Sequence, residues 1–135
     1  MKLRETPDGW YLAFRQGLVS MIQIDFRLGF YLLNEDRSYV KVQIGQPCTL
    51  RLASDQELLL VPEDTTTLVP VLSLFNTEVR RVEIRRNGQL SIDFGEGRGL
   101  RVPADPTYEA WELGGSALGF MLVCPPGGDL SLFRP

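Results

Sequence analysis

Two carboxylates stand three residues apart around a tryptophan in Glu109-Ala110-Trp111-Glu112-Leu113. On a strand, Glu109, Trp111 and Leu113 share one face while Ala110 and Glu112 share the other. An indole beside a carboxylate suits a cation, and tryptophan is a frequent anchor at protein interfaces. The same spacing also suits a core tryptophan flanked by solvated acids. Paired carboxylates serve as acid and base in glycosidases. Nothing in the sequence sets their separation, and 135 residues leave little room for a sugar cleft. Asp93, in a neighbouring β run, is the fourth candidate; with Trp111 it would line a small-ligand pocket.

Other chemistry is excluded by composition. The chain has no histidine, which removes the commonest general base, the commonest zinc ligand and every Ser-His or Cys-His pair. No catalytic residue, metal or cofactor is expected. Cys48 and Cys124 cannot fill a structural zinc site alone, and in a reducing compartment they are most simply free thiols. Gly95-Glu96-Gly97-Arg98-Gly99 resembles a phosphate-binding loop only in glycine content. A β run follows it rather than a helix, so a hairpin turn is expected. Arg80, Arg81, Arg85 and Arg86 cluster with Glu83 in a mixed stripe, which reads as a solvated face or a charge-protected edge.

The net charge of -3 argues against nucleic acid, whose binding needs a basic surface. No apolar run approaches the ~18 residues that span a membrane. Met1-Lys2-Leu3-Arg4 carries charge but no apolar run follows, so no secretory signal is expected and the chain is placed in the cytosol.

The elements that must position these residues are mostly strands. Ile22, Ile24 and Phe26 alternate with Gln23 and Asp25, as a half-buried strand does. Val82 and Ile84 alternate with Arg81, Glu83 and Arg85. Asn87-Gly88 then marks a tight hairpin, because a type I′ turn needs positive φ at both positions. Leu90, Ile92 and Phe94 form the return strand, and Leu100 and Val102 the next. Val40, Val42 and Ile44 make another. Shorter strands are expected at 49–53, 57–61, 110–113 and 120–123, with terminal ones at 10–14 and 130–133.

An offset of sixty relates the two halves. Val19, Ile22, Ile24, Phe30, Leu32, Val40 and Val42 are met by Val79, Val82, Ile84, Leu90, Ile92, Leu100 and Val102. Leu50-Arg51-Leu52 is then matched with Trp111-Glu112-Leu113, and Leu59-Leu60-Val61-Pro62 with the run from Met121 to Pro125. The expected architecture is a single mostly-β domain over 1–135. Two pseudo-repeated antiparallel meanders, approximately 17–62 and 77–124, pack together through a short helix in the connector 63–76. Asp64 or Thr67 would cap that helix, Pro70 would sit in its first turn, and Asn76 would end it in the left-handed region.

The order of motifs in the second half carries a resemblance. After Val79-x-x-Val82 come Asn87-Gly88-Gln89-Leu90-Ser91-Ile92-Asp93-Phe94, the glycine-rich turn, Tyr108-Glu109-Ala110-Trp111-Glu112-Leu113 and Val123-Cys124-Pro125-Pro126-Gly127-Gly128. This resembles a family of small, mostly actinobacterial proteins classed as a domain of unknown function. The resemblance implies no activity, catalytic residue or cofactor. Small acidic proteins of this kind are associated with neutralising secreted toxins.

The expected function is therefore a non-enzymatic, cytosolic protein-binding module, with a toxin-neutralising immunity protein as its specific form. Glu109, Trp111 and Glu112 are its interaction candidates. The alternative is a small-ligand-binding β domain using Trp111 and Asp93. A homodimer through an exposed sheet edge is compatible with either.

Overall fold

A computed structural model describes residues 1–128. The first half contributes β1 (Arg4–Thr6), β2 (Gly9–Ile24), β3 (Leu28–Leu33), β4 (Tyr39–Ile44), β5 (Cys48–Arg51) and β6 (Glu57–Leu60). A 3-10 helix, Thr65–Leu74, follows. The second half contributes β7 (Glu78–Arg85), β8 (Leu90–Gly95), β9 (Arg98–Val102), β10 (Trp111–Gly114) and β11 (Leu122–Val123). The fold is mostly β, as the alternation requires. The expected strand at 130–133 lies outside the described residues.

All strands belong to one antiparallel sheet, in the order β11-β10-β4-β3-β2-β7-β8-β9-β5-β6, with β1 also on β2. Within it the strands of the two halves exchange partners. The hairpin β5–β6 crosses to pair with β9, and β10–β11 crosses to pair with β4. Exchanging β2–β6 with β7–β11 in chain order reverses the path onto itself.

The registers locate where an offset of sixty applies. Phe30 faces Val42 and Leu32 faces Val40; Leu90 faces Val102 and Ile92 faces Leu100. Elsewhere the offset changes. Phe30 faces Ile22 but Leu90 faces Ile84, so β7 is displaced by two residues. Lys41 faces Gly114 while Arg101 faces Thr49, so Thr49 occupies the place of Gly114, where the expected match of Leu52 to Leu113 would put Ala53.

β2 is the spine. Its first part pairs with β7 and its last part with β3. Register shifts occur between Ala13 and Gly17 on one side and between Val19 and Met21 on the other. Gln16 takes a φ of 48° at the first of these. Bulges bend a strand and increase its twist. The buried Asn34 satisfies the backbone there, its Oδ1 accepting from Arg15 N at 2.7 Å. Gly17 is required by proximity, since a Cβ there would lie 2.4 Å from the Val79 carbonyl oxygen.

The bent sheet turns its two inner faces toward each other. Phe30 on β3 meets Phe94 on β8 with ring centroids 6.1 Å apart. Inward residues of both halves, including Leu12, Val19, Leu32, Val42, Leu50, Val82, Ile92, Val102 and Leu113, join one core. Burying each such aliphatic side chain is worth about 1.5–3 kcal/mol. Ile24 and Phe26 depart from the expected half-buried pattern: both are exposed. They stand at and beyond the end of β2.

The connector is a short helix as expected, but of the tighter kind. Leu68, Val71 and Leu74 are buried at a spacing of three, the period of a 3-10 helix. Asp64 caps it, accepting from Thr66 N at 3.2 Å. Pro70 is the sixth residue rather than in the first turn. Asn76 ends the segment with a φ of 63°.

Candidate functional site

Trp111 is the largest fully buried side chain, 1% exposed. Its Nε1 donates to the Gly88 carbonyl at 2.8 Å. It is part of the core and offers no surface to a partner or ligand. Leu113 points inward with it, and Ala110 is also buried. Glu109 is exposed and precedes β10, so it does not share the strand face with Trp111 as expected. Glu112 is half-buried on the outer side, 3.2 Å from Arg27 Nη1. Asp93 lies on β8 in the other half, on the outer wall of a groove. Trp111 faces the core and Asp93 faces solvent, so these two do not form the expected pocket.

The outer face of the first half is built by register. Gly114, Lys41, Tyr31 and Met21 form one row across β10, β4, β3 and β2. Glu112, Gln43, Gly29 and Gln23 form the adjacent row. Tyr31 and Tyr39 stack with centroids 5.7 Å apart and planes 6° from parallel. Lys41 Nζ lies 5.6 Å from the Tyr31 centroid, within cation–π range. Met21 is 47% exposed, Tyr39 36% and Met121 67%. Met121 Cε approaches Gly114, 3.8 Å from where its Cβ would be. Large apolar side chains thus gather on a face whose alternation should carry polar residues. The sequence signal was present: Tyr31 lies between the inward Phe30 and Leu32, and Tyr39 and Lys41 flank the inward Val40. Their proximity across strands needed the register.

The outer face of the second half is charged. Its groove, about 360 Å³, is lined by Arg51, Arg81, Arg101, Glu57, Glu83 and Asp93 around smaller residues. Arg81 lies 2.8 Å from Glu83 and stacks over Tyr11 at 3.8 Å. Arg86 lies 2.9 Å from Glu5 and 4.5 Å from the Trp10 ring centroid. Arg80 pairs with Glu78. The arginine cluster is thus divided among several local carboxylates, as a solvated face would be.

Gly95-Glu96-Gly97 makes the turn between β8 and β9, all three with positive φ. Pro125 to Gly128 closes a turn, with Gly128 N donating to Pro125 O at 2.9 Å. Asp129 of that motif lies outside the described residues. Cys48 and Cys124 are buried free thiols. Among the described residues, no three His, Cys, Asp or Glu side chains are placed to hold a metal ion. No helix among them is long and apolar enough to cross a membrane.

A family model described as a family of unknown function (DUF6188) matches residues 10–134. No curated protein and no solved structure matches the chain.

Proposed function

The chain belongs to the family of unknown function DUF6188, and we propose that it is a non-enzymatic protein-binding module that docks through the outer face of its first half. The observation that carries this reading is the Met21, Tyr31, Tyr39, Lys41 and Met121 surface. Tyrosine and methionine are enriched in protein interfaces. An apolar cluster on a solvent face costs solubility unless a partner covers it. Glu112 stands in the adjacent row, paired with Arg27, and forms a polar rim. Of the sequence candidates, Glu112 is the one beside this surface.

The specific form of the reading is a cytosolic immunity protein that neutralises a toxin. Its support is a small, mildly acidic chain with a net charge of -3, which suits a basic partner because complementary charge raises association rates. Co-expression with the product of an adjacent toxin-like gene tests that form: rescue of growth supports it, and unchanged toxicity rejects it. Serine at both Tyr31 and Tyr39 tests the docking face, since it should abolish partner binding while leaving the melting transition intact.

A further inference from the structure

A second concavity supports an assignment independent of the docking face. It encloses about 290 Å³ between the residues that precede β1 and the loop that joins β10 to β11. Its floor is Leu3, which is 7% exposed and belongs to the core. Met1, Ala117, Leu118 and Phe120 form its walls, each half-buried against that core. Lys2 also lines it and is exposed, so its place is the rim.

The walls are tied down. Ala117 N donates to the Tyr39 carbonyl at 3.0 Å, and Leu118 N donates to the Gly115 carbonyl at 3.3 Å. Ser116 Oγ accepts from Tyr39 N at 3.0 Å. Gly115 permits this approach, since at its φ of 104° a Cβ would lie 2.5 Å from the Tyr39 carbonyl oxygen. On the other side the Met1 ammonium lies 3.0 Å from Asp36. A loop bonded to the start of β4 in this way holds Leu118 and Phe120 apart from Leu3.

The lining selects the chemistry it accepts. No hydroxyl, amide or carboxylate side chain belongs to it. A peptide or sugar inside would lose water without gaining side-chain partners, which is costly. A hydrocarbon tail gains from the same transfer. Lys2 is the one charged side chain of the lining. Asp36, the acid beside Met1, is already engaged by the Met1 ammonium and by Ser38 N at 2.9 Å. Among the described residues no carboxylate lies within 4.0 Å of the Lys2 ammonium. At about 30 Å³ for each water-sized group, the space takes a tail of about ten heavy atoms at most.

We propose that this pocket binds a fatty acid of about six to ten carbons. Its carboxylate meets the Lys2 ammonium at the rim, and its tail lies over Leu3 between the walls.

The test is a titration of the full chain with butanoate, hexanoate and octanoate, read by NMR at the methyl groups of Leu3, Ala117 and Leu118. Saturable shifts are expected, with affinity rising about fourfold for each added methylene. 1-Hexanol and hexylamine control for charge, and both should bind at least about threefold more weakly than hexanoate. Lys2→Gln should weaken hexanoate by at least about threefold and leave 1-hexanol unchanged. Ala117→Phe should fill the pocket and abolish saturation by every ligand. Should Ala117→Phe unfold, Lys2→Gln decides. No saturable shift with octanoate up to about 10 mM would overturn the assignment. So would 1-hexanol matching hexanoate, an affinity indifferent to chain length, or undiminished hexanoate binding by a folded Lys2→Gln or Ala117→Phe chain.

Discussion

The indole Nε1 of Trp111 donates to the carbonyl oxygen of Gly88 at 2.8 Å. Trp111 opens β10, next to one edge of the sheet, and Gly88 lies in the turn between β7 and β8. Cys124 Sγ approaches the same carbonyl at 3.5 Å. One buried oxygen thus ties the β10–β11 hairpin to the opposite half of the bent sheet. Trp111→Phe keeps a ring but leaves that carbonyl without its indole donor. It should cost about 1–3 kcal/mol. Trp111→Ala adds a cavity and should cost about 3–5 kcal/mol. Denaturant unfolding checks both, and a loss within error for Trp111→Phe would remove the bond's structural role.

Gly17→Ala should destabilise by about 1–3 kcal/mol, because the added methyl collides with the Val79 carbonyl and forces β2 from β7. Gly45→Ala is the control. Its Cβ would meet nothing closer than Arg27 Cδ at 3.9 Å, so a change within about 0.5 kcal/mol is expected. Thermal melts of the two variants side by side make the comparison.

Gly17 also marks where sequence reading stops. Val40, Val42 and Ile44, and Leu90, Ile92 and Phe94, were legible as inward positions because each run keeps a period of two. A hairpin turn at Asn87-Gly88 was legible, but not its type: only Gly88 takes positive φ, at 90°, so the expected type I′ geometry with both residues in that region is not adopted. β2 was not legible as one strand of 16 residues, since two bulges reset its alternation and divide it into apparent pieces at 10–14 and near 22–26. The crossing of β5–β6 to β9 and of β10–β11 to β4 depends on pairing between residues far apart in sequence, which local pattern does not encode. For the site, Glu112 was legible as an outward acid. Trp111 was not assignable, because core and interface tryptophans share the same local spacing. Tyr31 and Tyr39 were missed because their stack exists only after β3 pairs with β4.

Burial pushes the Cys48 thiol up to about 12 from an ordinary 9.0. The protonated thiol is thus favoured in the folded state. The stability it contributes is fully present below pH 9 and is lost as pH rises through about 12. Folded protein at pH 8 should react with a thiol reagent at least about a hundredfold more slowly than unfolded protein, since only the exposed thiolate attacks. Cys48→Ala should reduce the alkaline loss of stability. Rapid labelling of both Cys48 and Cys124 in folded chain would contradict their burial.

The docking face is tested most directly by a photo-crosslinking residue placed at Met21 in living cells, with a second chain carrying it at Glu83 on the opposite outer face. The account predicts a discrete protein adduct from position 21 that disappears when Tyr31 and Tyr39 are both serine, and no such adduct from position 83. An absence of adduct at position 21, or the same adduct from both positions, would contradict it.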